Sequence, residues 1–242
     1  MSHPQKNHPT SFFSQGKTFE PHIVYPKKKG SYFPVVMVFH AWAGRDQSAC
    51  KKAEQLAELG YIGVAVDLYG NAKVGQSKQE NQALMQPFMQ DREYLKSLIL
   101  KNLEFVSTLP QADPKRIAAI GFCFGGLCAL DLARSGAALA GVVSFHGLLN
   151  PLPKPGKEMI RAKILAFHGH DDPMVTPQDV LAFEQEMTAA QADWQMHVFG
   201  KTMHAFTQEQ ANDPDFGTVY QPLSDRRSWL ALQNFLRELF QE

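Results

Sequence analysis

A chain of 242 residues, 44% apolar and 20% charged, is long enough to bury a core of its own. Its 24 basic residues are matched by 24 acidic ones, which argues against a strongly basic nucleic-acid binder and against a polybasic membrane anchor. No apolar run is long enough to span a bilayer, and the opening stretch from Met1 to Thr10 lacks the apolar centre of a secretory signal.

That opening stretch carries Pro4 and Pro9 and reads as a disordered tail over 1–15, ahead of a single domain over 16–242. The three cysteines, Cys50, Cys123 and Cys128, form no CxxC pair, so reduced thiols in a cytoplasmic protein are expected. Thr18–Tyr25 and Pro34–His40 read as the first strands. Only a turn over Lys27–Gly30 separates them, so they are expected to pair antiparallel. Asp46 is placed to cap a helix through Lys51–Leu59, which Gly60 stops. Ile62–Asp67 is a strand, and a polar loop over 68–80 leads to a helical region over 81–108 that Pro87 should kink or break.

Beyond it come a strand at Arg116–Gly121, a helix at Gly125–Ser135 and a strand at Leu139–Phe145. A proline-rich loop over 147–158 precedes the strand Lys163–Phe167 and the helix Thr176–Ala190, with Pro177 in its first turn. The strand Trp194–Phe199 and the helix Leu223–Phe240 close the chain. Strands alternating with helices imply a mostly parallel sheet of seven or eight strands, with helices on both faces. In such sheets functional groups collect at the carboxyl ends of the strands.

Three strand ends carry chemistry. Gly121-Phe-Cys-Phe-Gly-Gly126 follows a buried strand and opens a small-residue helix, the setting of a sharp elbow that lifts one side chain above the sheet. Cys123 then sits at a helix N-terminus, where the dipole favours thiolate over thiol. Taken alone, it reads as readily as a small buried hydrophobe. The strand Lys163–Phe167 ends in His168-Gly-His-Asp-Asp-Pro173, and the strand Trp194–Phe199 leads to His204. Alone, Asp172 reads as a turn residue and His204 as a loop histidine. Nucleophile, acid and histidine in that chain order, each after a strand, support one another.

These residues, with His40-Ala-Trp-Ala-Gly44, Asp67-Leu-Tyr-Gly70, Val175 and His204-Ala-Phe206, resemble the dienelactone hydrolase family of α/β-hydrolases. The resemblance runs from the second strand to beyond the last. It implies an α/β-hydrolase fold and a triad of Cys123, Asp172 and His204, cleaving a small ester or lactone through a covalent thioacyl-enzyme. Asp171 is the rival acid; Asp172 is preferred because the family's acid lies three residues before a valine, here Val175. Backbone N–H groups of Phe124 and Trp42 are implied as the oxyanion donors. The sequence departs from the family pattern in two places. Ala41 stands where many members carry a glutamate that holds the resting cysteine, and Gln208 stands where members that bind a substrate carboxylate carry an arginine.

Tyr69, Arg92 and His146 are the candidates for contact with substrate, with Arg92 weighed equally as a surface ion pair. His40 is expected to support the oxyanion loop. The run from His168 to Asp172 has no further ligand at a sensible spacing for a metal, so neither metal nor cofactor is expected. The partners expected are a small-molecule substrate and, for oligomeric state, a monomer or homodimer, with neither nucleic acid nor membrane. Residues 202–222, polar and containing Pro214 and Pro222, are read as a cover for the cleft. Two rival functions remain at this stage: a general carboxylesterase or thioesterase without dienelactone activity, and a catalytically weak redox-sensing or binding module that uses Cys123 as a reactive thiol.

Overall fold

The computed structural model describes residues 10–28, 30–153 and 158–241. In chain order its elements are a hairpin of β1 (Phe12–Ser14) and β2 (Lys17–Phe19), then β3 (His22–Val24), β4 (Phe33–Phe39), α1 (Gln47–Glu58) and β5 (Ile62–Ala65). There follow α2 (Lys78–Gln90), α3 (Arg92–Ser107), β6 (Ala112–Phe122), α4 (Phe124–Arg134), β7 (Gly141–Phe145) and β8 (Lys163–Gly169). The chain continues through α5 (Pro177–Ala189), β9 (Trp194–Phe199), a short hairpin of β10 (Asn212–Asp213) and β11 (Thr218–Val219), and α6 (Pro222–Phe240).

Seven of the strands form one sheet in the order β3-β5-β4-β6-β7-β8-β9, parallel throughout except for β3. The apolar runs at its centre follow from cover on both faces, where no position along a strand meets water. In β4, Val35, Met37 and Phe39 face the core beneath α2 to α5, while Val36 and Val38 face the core under α1 and α6. The helix starts follow local chemistry. Asp46 caps α1 by accepting from the Ala49 N–H at 3.0 Å, and Thr176 and Asp179 form a reciprocal box at the start of α5.

Three expectations are corrected. Thr18–Tyr25 is not one strand, and it does not pair with Pro34–His40. Pro21 interrupts it, β2 folds back on β1, and β3 pairs antiparallel with β5, which lies between β3 and β4. A short connection therefore crosses the end of a strand that comes later in the chain, a pairing that local spacing does not encode. The tail expected over 1–15 is structured from Phe12, whose ring stacks on Phe19 at 5.1 Å; residues 1–9 lie outside the described residues. So do Lys29 of the lysine turn and 154–157 of the proline-rich loop. The third correction concerns the region over 81–108, which breaks at Asp91 and not at Pro87. Asp91 leaves helical geometry, and its carboxylate accepts from the Tyr94 N–H at 2.8 Å, starting a new helix.

Candidate active site

β6 runs into α4 through Cys123, whose φ of 55° lies in the left-handed region that a side chain adopts only under constraint. The glycines on either side supply that constraint. A Cβ on Gly121 would lie 1.9 Å from the Gly125 carbonyl oxygen, and one on Gly125 would lie 2.1 Å from the Phe39 carbonyl oxygen. Strand, elbow and helix therefore approach one another more closely than any other residue permits. The Cys123 N–H donates to the Phe145 carbonyl at 3.0 Å, which ties the elbow to β7. Phe124 is the first residue of α4, so its N–H has no intrahelical acceptor.

The turn after β8 carries Asp172, buried, while its neighbour Asp171 is exposed. Asp172 Oδ1 accepts from the Met174 N–H at 2.8 Å, and Oδ2 accepts from His204 Nδ1 at 2.7 Å. Asp172 is thus the acid that meets His204. The histidine is fixed through its backbone as well: its N–H donates to Gly217 O, and its carbonyl accepts from the Val219 N–H. With Nδ1 given to Asp172, Nε2 is the ring nitrogen left for Cys123, and both residues line one cleft. Burial alone pushes the His204 imidazolium down. The charge of a Cys123 thiolate and the hydrogen bond to Asp172 outweigh burial and hold the group above the usual histidine range.

The loop after β4 forms the opposite side of the elbow. His40 Nδ1 lies 2.6 Å from the Ala41 carbonyl, and Nε2 accepts from the Leu68 N–H at 3.3 Å. This arrangement fits the neutral ring with its proton on Nδ1, and burial holds its pKa below the usual value. Asp67, fully buried, accepts from the N–H groups of Glu20, Tyr69, Gly70 and Ala72 at 2.9–3.1 Å. That collar aims Tyr69, whose hydroxyl donates to the Trp42 carbonyl at 2.9 Å. Its ring also stacks on Phe124 at 6.4 Å. One buried phenol therefore links the Trp42 carbonyl to the ring of Phe124.

Above Cys123 lies a cleft of about 460 Å³, walled by Trp42, Met85, Leu148, Met174 and Phe216, with Gln82, Gln208 and Thr218 among its neutral polar residues. Residues 202–222 are folded over it, held by the β10–β11 hairpin and by α6. Phe216 stacks on Trp42 at 5.7 Å, and Lys78 Nζ lies 4.4 Å over the Phe216 ring.

None of the three residues proposed to contact substrate lines this cleft. Arg92 is neither in the cleft nor on the surface: it is buried beneath α4 in a two-pronged pair with Asp131. Tyr69 is buried behind the loop it holds. His146 is fully buried behind His204, the two rings meeting edge to face at 5.0 Å. Its Nε2 pairs with the Thr207 hydroxyl at 2.8 Å, and burial pushes its pKa well below the usual value. Trp42, Cys123 and His204 do line the cleft, and Asp172 meets it through its bond to His204. Met85, Leu148, Met174, Lys78 and Phe216 went unnoticed in the sequence. Phe216 alone gave a signal, as an aromatic residue inside a polar stretch. Among the described residues, no group of three or more His, Cys, Asp or Glu side chains is arranged to hold a metal ion.

A parallel sheet of this order, with an elbow after β6, an acid after β8 and a histidine after β9, defines an α/β-hydrolase. The solved structure of m3DLH superposes with a TM-score of 0.89 at 34% identity, covering 95% of this chain and 96% of that one. A dienelactone hydrolase-like promiscuous phosphotriesterase from metagenomic libraries superposes equally well, with a TM-score of 0.89, 31% identity and the same coverage of both chains. A protein of Caenorhabditis elegans is 37% identical over 149 residues, 60% of this chain and 94% of that one. The dienelactone hydrolase family model matches residues 19–240, and the chain belongs to that family. It is a carboxylic ester hydrolase. Among the described residues, no helix is long and apolar enough to cross a membrane.

Proposed function

We propose that the cleft cleaves a small carboxylic ester or lactone by acyl transfer through Cys123, His204 and Asp172. The Cys123 thiolate attacks the carbonyl carbon, and the oxygen becomes an oxyanion held by the N–H groups of Phe124 and Trp42. One such donor contributes about 3–4 kcal/mol in related chemistry. As the tetrahedral intermediate collapses, the His204 imidazolium protonates the departing alkoxide at Nε2, leaving a thioacyl-enzyme.

The charges in the site support the second half. The thiolate charge is the largest influence holding the His204 proton on, and acylation consumes it. Burial then favours neutral imidazole, which is the form that takes a proton from water. The resulting hydroxide attacks the thioester, and the thiolate departs. Asp172 keeps the proton on Nδ1 through both halves, so Nε2 is always the nitrogen that exchanges protons.

The observation that carries this reading is the 2.7 Å contact between Asp172 and His204, with His204 and Cys123 lining one cleft. The test is turnover of p-nitrophenyl butyrate by the wild type and by Cys123→Ala, with circular dichroism to check the fold. Loss of turnover with a native spectrum supports the reading, and retained turnover refutes it. The Asp172–His204 pair favours an enzyme over the redox-sensing alternative, because a sensor thiol needs no oriented base.

A further inference from the structure

The charge balance of the cleft bears on which esters can enter it. Apart from the reacting pair of Cys123 and His204, the charged side chain among the described residues lining the cleft is Lys78. Lys78 is already committed. Its Nζ donates to Asp213 Oδ2, in β10, and sits over the Phe216 ring. The cation held Asp213 below the usual carboxylate range in return. The remaining walls are apolar or neutral. Arg92 is sealed against Asp131. Gln208, four residues beyond His204, contributes an amide and no charge.

A substrate bearing a carboxylate would surrender water on entry and meet no unpaired cation, and a desolvated charge without a partner is costly. An uncharged acyl group meets Trp42, Met85, Leu148 and Met174 and loses nothing by leaving water. Resting on the acyl-transfer reading above, we propose that the cleft selects uncharged esters and lactones with apolar acyl groups, and that Asp213 strengthens this selectivity by occupying Lys78. Asp213 lies outside the cleft lining and touches none of the reacting groups. It acts as a specificity determinant through the lysine it holds. Discrimination of this kind works by denying the rejected substrate its counter-charge, and not by adding contacts to the preferred one.

The experiment compares two esters of matched length, p-nitrophenyl hexanoate and the mono-p-nitrophenyl ester of adipic acid, which differ in a terminal methyl against a terminal carboxylate. In the wild type, kcat/KM for the hexanoate is expected to exceed that for the adipate monoester by about 100-fold. Asp213→Asn keeps an oxygen for the Phe216 N–H, which now donates to Asp213 Oδ1 at 3.0 Å, but releases Lys78. It is expected to raise kcat/KM for the anionic ester by about fivefold, an amount suited to an exposed ion pair, with the hexanoate value unchanged. Added salt should shrink that gain. Equal rates on the two esters in the wild type, or a ratio that Asp213→Asn does not move, would overturn the proposal. Failure of the wild type to cleave either ester would overturn both this proposal and the acyl-transfer reading. Turnover retained in Cys123→Ala would remove the acyl-transfer reading alone, and the ratio of the two esters would still decide the selectivity.

Discussion

The two walls of the cleft are held by different forces. The wall beneath the substrate is built from strand ends: Cys123 at a left-handed elbow, Asp172 and His204 buried and joined at 2.7 Å, and Tyr69 bonded to the Trp42 carbonyl. Each group there has little freedom, because backbone, sheet and buried hydrogen bonds all define its place. The covering wall is held by an aromatic stack, a cation over a ring, and an ion pair whose side chains are 55% and 38% exposed. Contacts of that kind are individually weak. Preorganised groups suit a transition state that tolerates no misplacement, whereas an adjustable cover suits the choice of substrate.

If this division is right, substitutions in the lower wall should change kcat, and those in the cover should change KM. Cys123→Ala should lose about 10³–10⁴-fold or more in kcat, with the fold intact by circular dichroism. Asp172→Asn should lose about 10²–10⁴-fold, because the carboxylate that fixes the tautomer is gone. Its pH profile carries a second signature. The folded-state pKa of His204 is raised, so its imidazolium persists into mildly alkaline solution, and the thiolate–imidazolium form is lost only as pH passes that raised value. Removing Asp172 removes one of the influences that raise it. The alkaline limb of kcat/KM should therefore move to lower pH in whatever activity remains.

Tyr69→Phe deletes one buried hydrogen bond and keeps the ring. The freed Trp42 carbonyl should loosen the loop and lower kcat by about tenfold, with KM nearly unchanged. Alkylation of Cys123, which forms no oxyanion, should keep its wild-type rate in this variant. A Tyr69→Phe protein that alkylates slowly has lost the elbow instead of the loop. The smallest effect is expected from the cover: Phe216→Ala should raise KM for an aryl ester about three- to tenfold, the range of one aromatic contact, with kcat unchanged. A larger kcat effect from Phe216→Ala than from Tyr69→Phe would break the division between the walls.

The same contrast explains what was legible in the sequence. Gly121-x-Cys123-x-Gly125 marks a sharp turn by local pattern, and the acid and histidine each follow a strand whose apolar run is visible. The resemblance then singles out Asp172 and His204 among the residues after those strands, and local pattern alone marks β9 and α1 with its Asp46 cap. What local pattern does not carry is long-range pairing. β3 sits beside β5 because the chain crosses the sheet edge, and no residue of the turn after β3 announces it. Arg92 reads as a substrate contact or a surface ion pair until Asp131, 39 positions away, is seen to neutralise it in the interior. Tyr69 reads as a substrate contact just beyond the strand that ends at Asp67, but the direction of its hydroxyl depends on the four N–H groups gathered by Asp67. Lys78 and Phe216 meet only because α2 and the β10–β11 hairpin fold over the same opening.

The claim on which everything else depends is that His204 activates Cys123. It is tested most directly by alkylation with iodoacetamide at pH 7, comparing wild type with His204→Ala and reading each cysteine by peptide mass. Burial pushes the thiols of Cys50 and Cys128 up, so both should remain unmodified while Cys123 reacts. The account predicts that Cys123 in the wild type reacts at least about tenfold faster than in the variant, in step with loss of esterase activity. Equal rates in the two proteins, or Cys50 reacting first, would contradict it.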